Sequence, residues 1–214
     1  MLKSNIEEHD INININISDI QTIVVNLNKE TGYLTIIDNL NPITRIRAPL
    51  VYLQICKEFN QPIILPDRLL WLKISGEFNQ PIIIPDGLSE LKISGEFNQP
   101  IILPDGLSEL EILGEFNQSI ILPDSLRYVS IGGNFNKPII LPVRMYEVRI
   151  FGIFNQQIIL SDILKYLVIS GEYNQHIILP YSLLYLEILG EYHQPIILPD
   201  SLISFNISGE FKYN

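Results

Sequence analysis

The chain has 214 residues, is 47% hydrophobic but only 18% charged, and sets 14 Lys and Arg against 24 Asp and Glu, for a net charge of −10. That balance supplies no basic stripe for counterion release and argues against nucleic-acid binding. The lone Cys56 excludes a disulfide framework or a multi-Cys metal site. Ile occurs 40 times and Ala once, which suits strands far better than a helical bundle.

The first thirty residues are rich in Ile and Asn and show no apolar core of a secretory signal. No purely apolar run approaches a membrane span. A cytoplasmic protein is the expectation, without membrane association. A degraded pattern already runs through this region. Ile15 and Ile17, then Leu34 and Ile36, then Leu50, Leu53 and Ile55 keep a common register. We therefore expect a tail and a degenerate capping coil over 1–30 and a solenoid over 31–214, with clear repeats from about residue 50.

From Phe59 the repeat is plain. Phe59, Phe78, Phe97 and their successors, through Tyr173 and Tyr192 to Phe211, stand 19 residues apart without insertion or deletion. The unit reads F-N-Q-P-I-I-L-P-D-x-L-x-x-L-x-I-x-G-E, and Phe97 to Glu115 shows it almost unaltered. A unit this short cannot close a core of its own, so coils must stack and share one. The L-x-I end alternates with period two, and P-I-I-L-P is short, β-branched and fenced by Pro. The spacing predicts a mainly β, right-handed solenoid of about ten 19-residue coils, with parallel strands, two short strands per coil and few or no helices.

Each column then has a physical reading. Gly76, Gly95 and Gly114 open an unbroken glycine column, which predicts a positive φ after the L-x-I strand. Asn79, Asn98 and Asn117 belong to an Asn column, which predicts a side-chain amide ladder. In the Ile-Ile pairs, neighbouring side chains of a strand point to opposite faces. Either a corner turns both inward, which is the expectation, or one row of Ile lies exposed. Asp after the second Pro and Glu after the Gly are expected as solvated turn acids, not as Ca²⁺ ligands, since the unit lacks the Gly-rich Asp loop of such repeats.

The x positions of L-x-x-L-x-I change from coil to coil while the rest stays fixed. Trp71, Tyr128, Arg149, Tyr166 and Tyr185 fall there, and aromatic and charged side chains on a rigid sheet suit a protein-binding surface. Nothing points to an enzyme. Of three His, His176 sits in the Pro column and His193 in the Asn column, with no third ligand or orienting acid specified, and Cys56 has no fixed His partner. No catalytic residue, metal or cofactor is expected.

The Phe-Asn…Ile…Pro core, as in Phe78-Asn79-Gln80-Pro81-Ile82-Ile83-Ile84-Pro85, resembles the FNIP repeat of amoebae and giant viruses, a leucine-rich-repeat relative. The resemblance covers about residues 40–214 and implies a leucine-rich-repeat-like solenoid acting in protein binding, in the host cytoplasm if viral. The F-box carried by some viral members has no counterpart in residues 1–40. The reading is a non-enzymatic interaction scaffold for a protein partner. The alternative is a structural or self-assembling protein, a homodimer included, joined through solenoid ends or an exposed Ile row.

Overall fold

The computed structural model describes residues 33–36, 50–190 and 192–208. Among them are ten strands and no helix: β1 (Tyr33–Ile36), β2 (Tyr52–Ile55), β3 (Trp71–Ile74), β4 (Glu90–Ile93), β5 (Glu109–Ile112), β6 (Tyr128–Ile131), β7 (Glu147–Ile150), β8 (Tyr166–Ser170), β9 (Tyr185–Leu189) and β10 (Ser204–Ser208). They form one parallel sheet in sequence order. Every pairing joins residues one period apart, as in Leu72↔Leu91 and Ile74↔Ile93. Strict register follows from the constant repeat length, because a slip of one residue would turn the whole buried lane outward. The worn coils at Leu34, Ile36, Leu53 and Ile55 join the same ladder. The expected capping coil over 1–30 lies outside the described residues.

Each coil carries one strand, not the two expected. In the P-I-I-L-P segment burial alternates strictly: Ile82 and Ile84 are buried while Ile83 between them is 88% exposed. The backbone is thus extended, yet no backbone hydrogen bond joins these segments among the described residues. Proline at each end removes donors, and the coils stand too far apart here to share a ladder. The expected inward corner is likewise not formed. The second Ile of each pair, from Ile64 to Ile197, forms an exposed row on the face opposite the sheet.

Two devices hold the coils together away from the sheet. The first is the aromatic column. Phe59, Phe78, Phe97, Phe116, Phe135 and Phe154 are fully buried, and successive rings stack at 5.9–6.1 Å within 11° of parallel. The second is the Asn column. Each Asn Oδ1 accepts the backbone N–H of the next Asn one coil on, at 2.9–3.1 Å from Asn60 through Asn174. The same oxygen accepts Gln Nε2 of the next coil where Gln follows, as from Gln99 to Asn79 at 3.1 Å. Ring spacings near 6 Å exceed the ~4.8 Å of a sheet ladder. The stack therefore bends, with the sheet on its concave side and the Ile row on its convex side.

The glycine column closes the turn after each strand. Gly76, Gly95 and Gly114 have φ of +74°, +73° and +82°. A Cβ on Gly95 would lie 2.3 Å from the carbonyl oxygen of Gly76 in the coil below. The turn thus needs both a left-handed backbone and an empty side-chain position. Asp67, Asp86 and Asp105 sit exposed in β-turns closed by bonds such as Leu88 N–H to Pro85 C=O at 3.1 Å.

Gly95→Ala combines a left-handed strain of about 1–2 kcal/mol with a backbone collision, and is expected to cost about 3 kcal/mol or more in urea unfolding. Tyr173 replaces Phe in the aromatic column, and its hydroxyl is buried without a hydrogen-bond partner. Tyr173→Phe removes that orphan group and is expected to stabilise the fold by about 1 kcal/mol. Burial holds the Tyr173 phenol far above its ordinary value of 10.0. The folded state therefore keeps a proton that the unfolded state releases. Stability falls as pH climbs above about 10, and Tyr173→Phe should blunt that loss in alkaline melting curves.

Candidate functional site

In β2 to β9 the second and fourth residues are buried, and the first and third stand out on the concave face. Parallel register stacks the outward positions into lanes that run along the solenoid, so neighbours in a lane come from neighbouring coils. The lane of first positions reads Tyr52, Trp71, Glu90, Glu109, Tyr128, Glu147, Tyr166, Tyr185 and Ser204.

This arrangement gathers four of the five binding candidates and separates the fifth. Tyr166 and Tyr185 stack face to face at 4.6 Å and 3°. Arg149 bonds Glu147 through Nε within β7. Tyr128 reaches Tyr166 through Tyr146, whose ring lies 5.8 Å from Tyr128 and 5.4 Å from Tyr166. Trp71 packs instead on Tyr52 at 6.3 Å, toward the other end of the sheet. Tyr146 was not among the sequence candidates, because it precedes its strand by one residue. The signal was present: its lane holds Leu70, Ser89, Ser108, Arg127 and Lys165, and so varies like the strand face.

Two shallow depressions mark this face. One, of about 340 Å³, is lined by Lys92, Glu109, Glu111, Tyr128, Glu147 and Arg149. The other, of about 280 Å³, is lined by Glu147, Arg149, Tyr166, Val168, Tyr185 and Glu187. The Glu147–Arg149 pair stands between them. Lys92 Nζ reaches Glu90 at 2.9 Å and Glu109 at 3.5 Å, bridging two carboxylates that face each other across β4 and β5. The hydrogen bond to Glu90, with the nearby carboxylates, holds the Lys92 ammonium above its ordinary range. Burial, followed by a hydrogen bond with Tyr146, pushes the Tyr166 phenol up.

The structural candidates lie off this face, Gly76, Gly95 and Gly114 in the turn after each strand and Asn79, Asn98 and Asn117 in the ladder. His176 and His193 are exposed. Among the described residues no group of three or more His, Cys, Asp or Glu is placed to hold a metal ion, and no helix is long and apolar enough to cross a membrane.

Residues 78–114 match the FNIP Repeat family. The matched stretch lies in the regular part of the repeat lattice, whose columns run on through β10. Among solved structures the chain is similar to CroV588, a giant-virus protein described as a novel circular LRR structure, with TM-score 0.61 and 27% identity. The match covers 85% of this chain and 37% of that one, so this chain spans little more than a third of that protein's length. Among curated proteins none matches.

Lys92→Met leaves Glu90, Glu109 and Glu111 as unrelieved neighbours across a parallel ladder. The expected loss is about 0.5–1 kcal/mol at low salt, vanishing near ~1 M NaCl, read from denaturation midpoints at both ionic strengths.

Proposed function

We propose that this chain is a non-enzymatic protein-interaction scaffold that binds its partner on the concave sheet face. The observation that carries the reading is the contrast between lanes. Core, turn and ladder positions repeat almost letter for letter, whereas the concave lanes hold a cluster of Tyr128, Tyr146, Tyr166 and Tyr185 beside paired charges. Tyrosine and Arg clustered on a rigid surface are what binding hot spots use. The FNIP match and the LRR-like neighbour support the class, since such solenoids generally present an extended concave surface to other proteins. The acidic balance favours a protein partner over nucleic acid, and a single Cys suits the cytoplasm, the host's if the chain is viral.

Self-assembly through the convex Ile row is the second reading, favoured by seven Ile that are 80% exposed or more, from Ile83 to Ile197. Curvature ranks it lower. Two convex rows touch over only a few coils, well short of the ~800 Å² per partner of a stable interface.

Replacing Tyr128, Tyr166 and Tyr185 together by Ala is expected to abolish capture of partners from the native cell, with the melting temperature little changed. Retention of the same partners would remove the concave face from the reading.

A further inference from the structure

Resting on that reading, we infer that the concave face receives an extended cationic segment of its partner, with two basic residues about six positions apart. Within the site, cations of the chain itself are already engaged. Lys92 is held by Glu90 and Glu109, and Arg149 by Glu147. One carboxylate in each depression makes no ion pair among the described residues: Glu111 in the first, and Glu187 in the second, where it accepts only the Asn206 amide at 3.3 Å. Each stands in a depression with aromatic walls, Tyr128 in the first and the stacked Tyr166–Tyr185 pair in the second. A carboxylate beside an aromatic ring is a seat for Lys or Arg, through an ion pair and a cation–π contact together.

The spacing of the seats sets the spacing of the cations. Glu111 lies on β5 and Tyr128 on β6, whereas Tyr166 lies on β8 and Tyr185 and Glu187 on β9, so the two carboxylates are four coils apart. Four coils at ~4.8 Å separate them by about 19 Å, and an extended chain rising ~3.3–3.4 Å per residue spans that distance in about six residues. An even number keeps both side chains on one side of the segment, facing the sheet. The segment runs along the solenoid, across the strands, so side chains carry the recognition. A net charge of −10 draws such a segment in from a distance.

The test is fluorescence anisotropy with short labelled Gly/Ser peptides. One carries two Lys six residues apart, a second the same two Lys adjacent, and a third two Glu at the first peptide's positions. The first is expected to bind about fivefold tighter than the second and tighter still than the third. Glu111→Gln with Glu187→Gln, isosteric changes, should weaken the first peptide by about fivefold or more. Asp86→Asn with Asp105→Asn removes the same charge from exposed turns outside the groove and should leave binding unchanged. Equal weakening by both pairs, or indifference to Lys spacing, would overturn the inference as unspecific attraction to an acidic chain. If partner capture depends on the tyrosines while the peptides show no preference for Lys, the scaffold stands and the cationic segment falls.

Discussion

Every coil leaves polar groups that only the next coil can satisfy, and the Asn column shows how this is managed where no sheet exists. At the strand, backbone bonds join coil to coil directly. Past the glycine turn the series of backbone bonds between coils ends, and the Asn side chain takes over. One Oδ1 takes the N–H of the following Asn and, in most coils, the Gln amide beside it. A leucine or valine at this position would leave the part-buried N–H of the next Asn without its acceptor, at a cost of about 1 kcal/mol. The regularity of the repeat follows. A column whose members bond to one another in series resists a change in unit length, since one inserted residue would break the amide bond across the coil that holds it.

The same difference in spacing makes two unlike faces. A ladder near 4.8 Å on one side and rings near 6 Å apart on the other bend the stack toward its sheet. On the concave side, outward lanes are crowded, and neighbouring side chains stack, as Tyr166 and Tyr185 do, or pair, as Lys92 does with two Glu. On the convex side, neighbours are spread, and the extended P-I-I-L-P backbone sends every second side chain into water. Val143 and Tyr181 replace Asp of the turn column there and widen the apolar convex surface, both being at least 79% exposed.

Much of this architecture is legible in the sequence, and what is not has a physical reason. Glycine and asparagine columns announce backbone requirements that no other residue meets, so Gly95 and Asn98 can be read without coordinates. The fate of the Ile pairs cannot. Burial of Ile83 depends on whether P-I-I-L-P turns a corner or runs straight, and that is decided by coil spacing, a property of the whole stack. The second strand fails for the same reason: its residues have strand propensity and alternation, but Pro and the wide spacing withhold the partner. At the candidate site, lane membership of Tyr128, Tyr166 and Tyr185 follows from period two. Tyr146 escapes because it joins them through the turn before β7, and Trp71 shares their lane but stands three coils before Tyr128, where its ring partner is Tyr52.

What the lattice permits to vary is itself informative about function. Inside the coil a substitution propagates: replacing Phe116 disturbs rings on both sides, and replacing Gly114 moves the turn against two neighbours. On the concave lanes a substitution is felt only by the residues beside it, so this face can change its chemistry coil by coil without loss of the fold. Drift alone would scatter aromatic residues along the lanes. Instead Tyr128, Tyr146, Tyr166 and Tyr185 fall on adjoining coils in ring contact, while acidic residues gather on β4 and β5 with Lys92 between them. Clustering of unlike chemistries along one face gives it a direction, from the acidic coils at β4 and β5 to the tyrosine coils at β6 to β9.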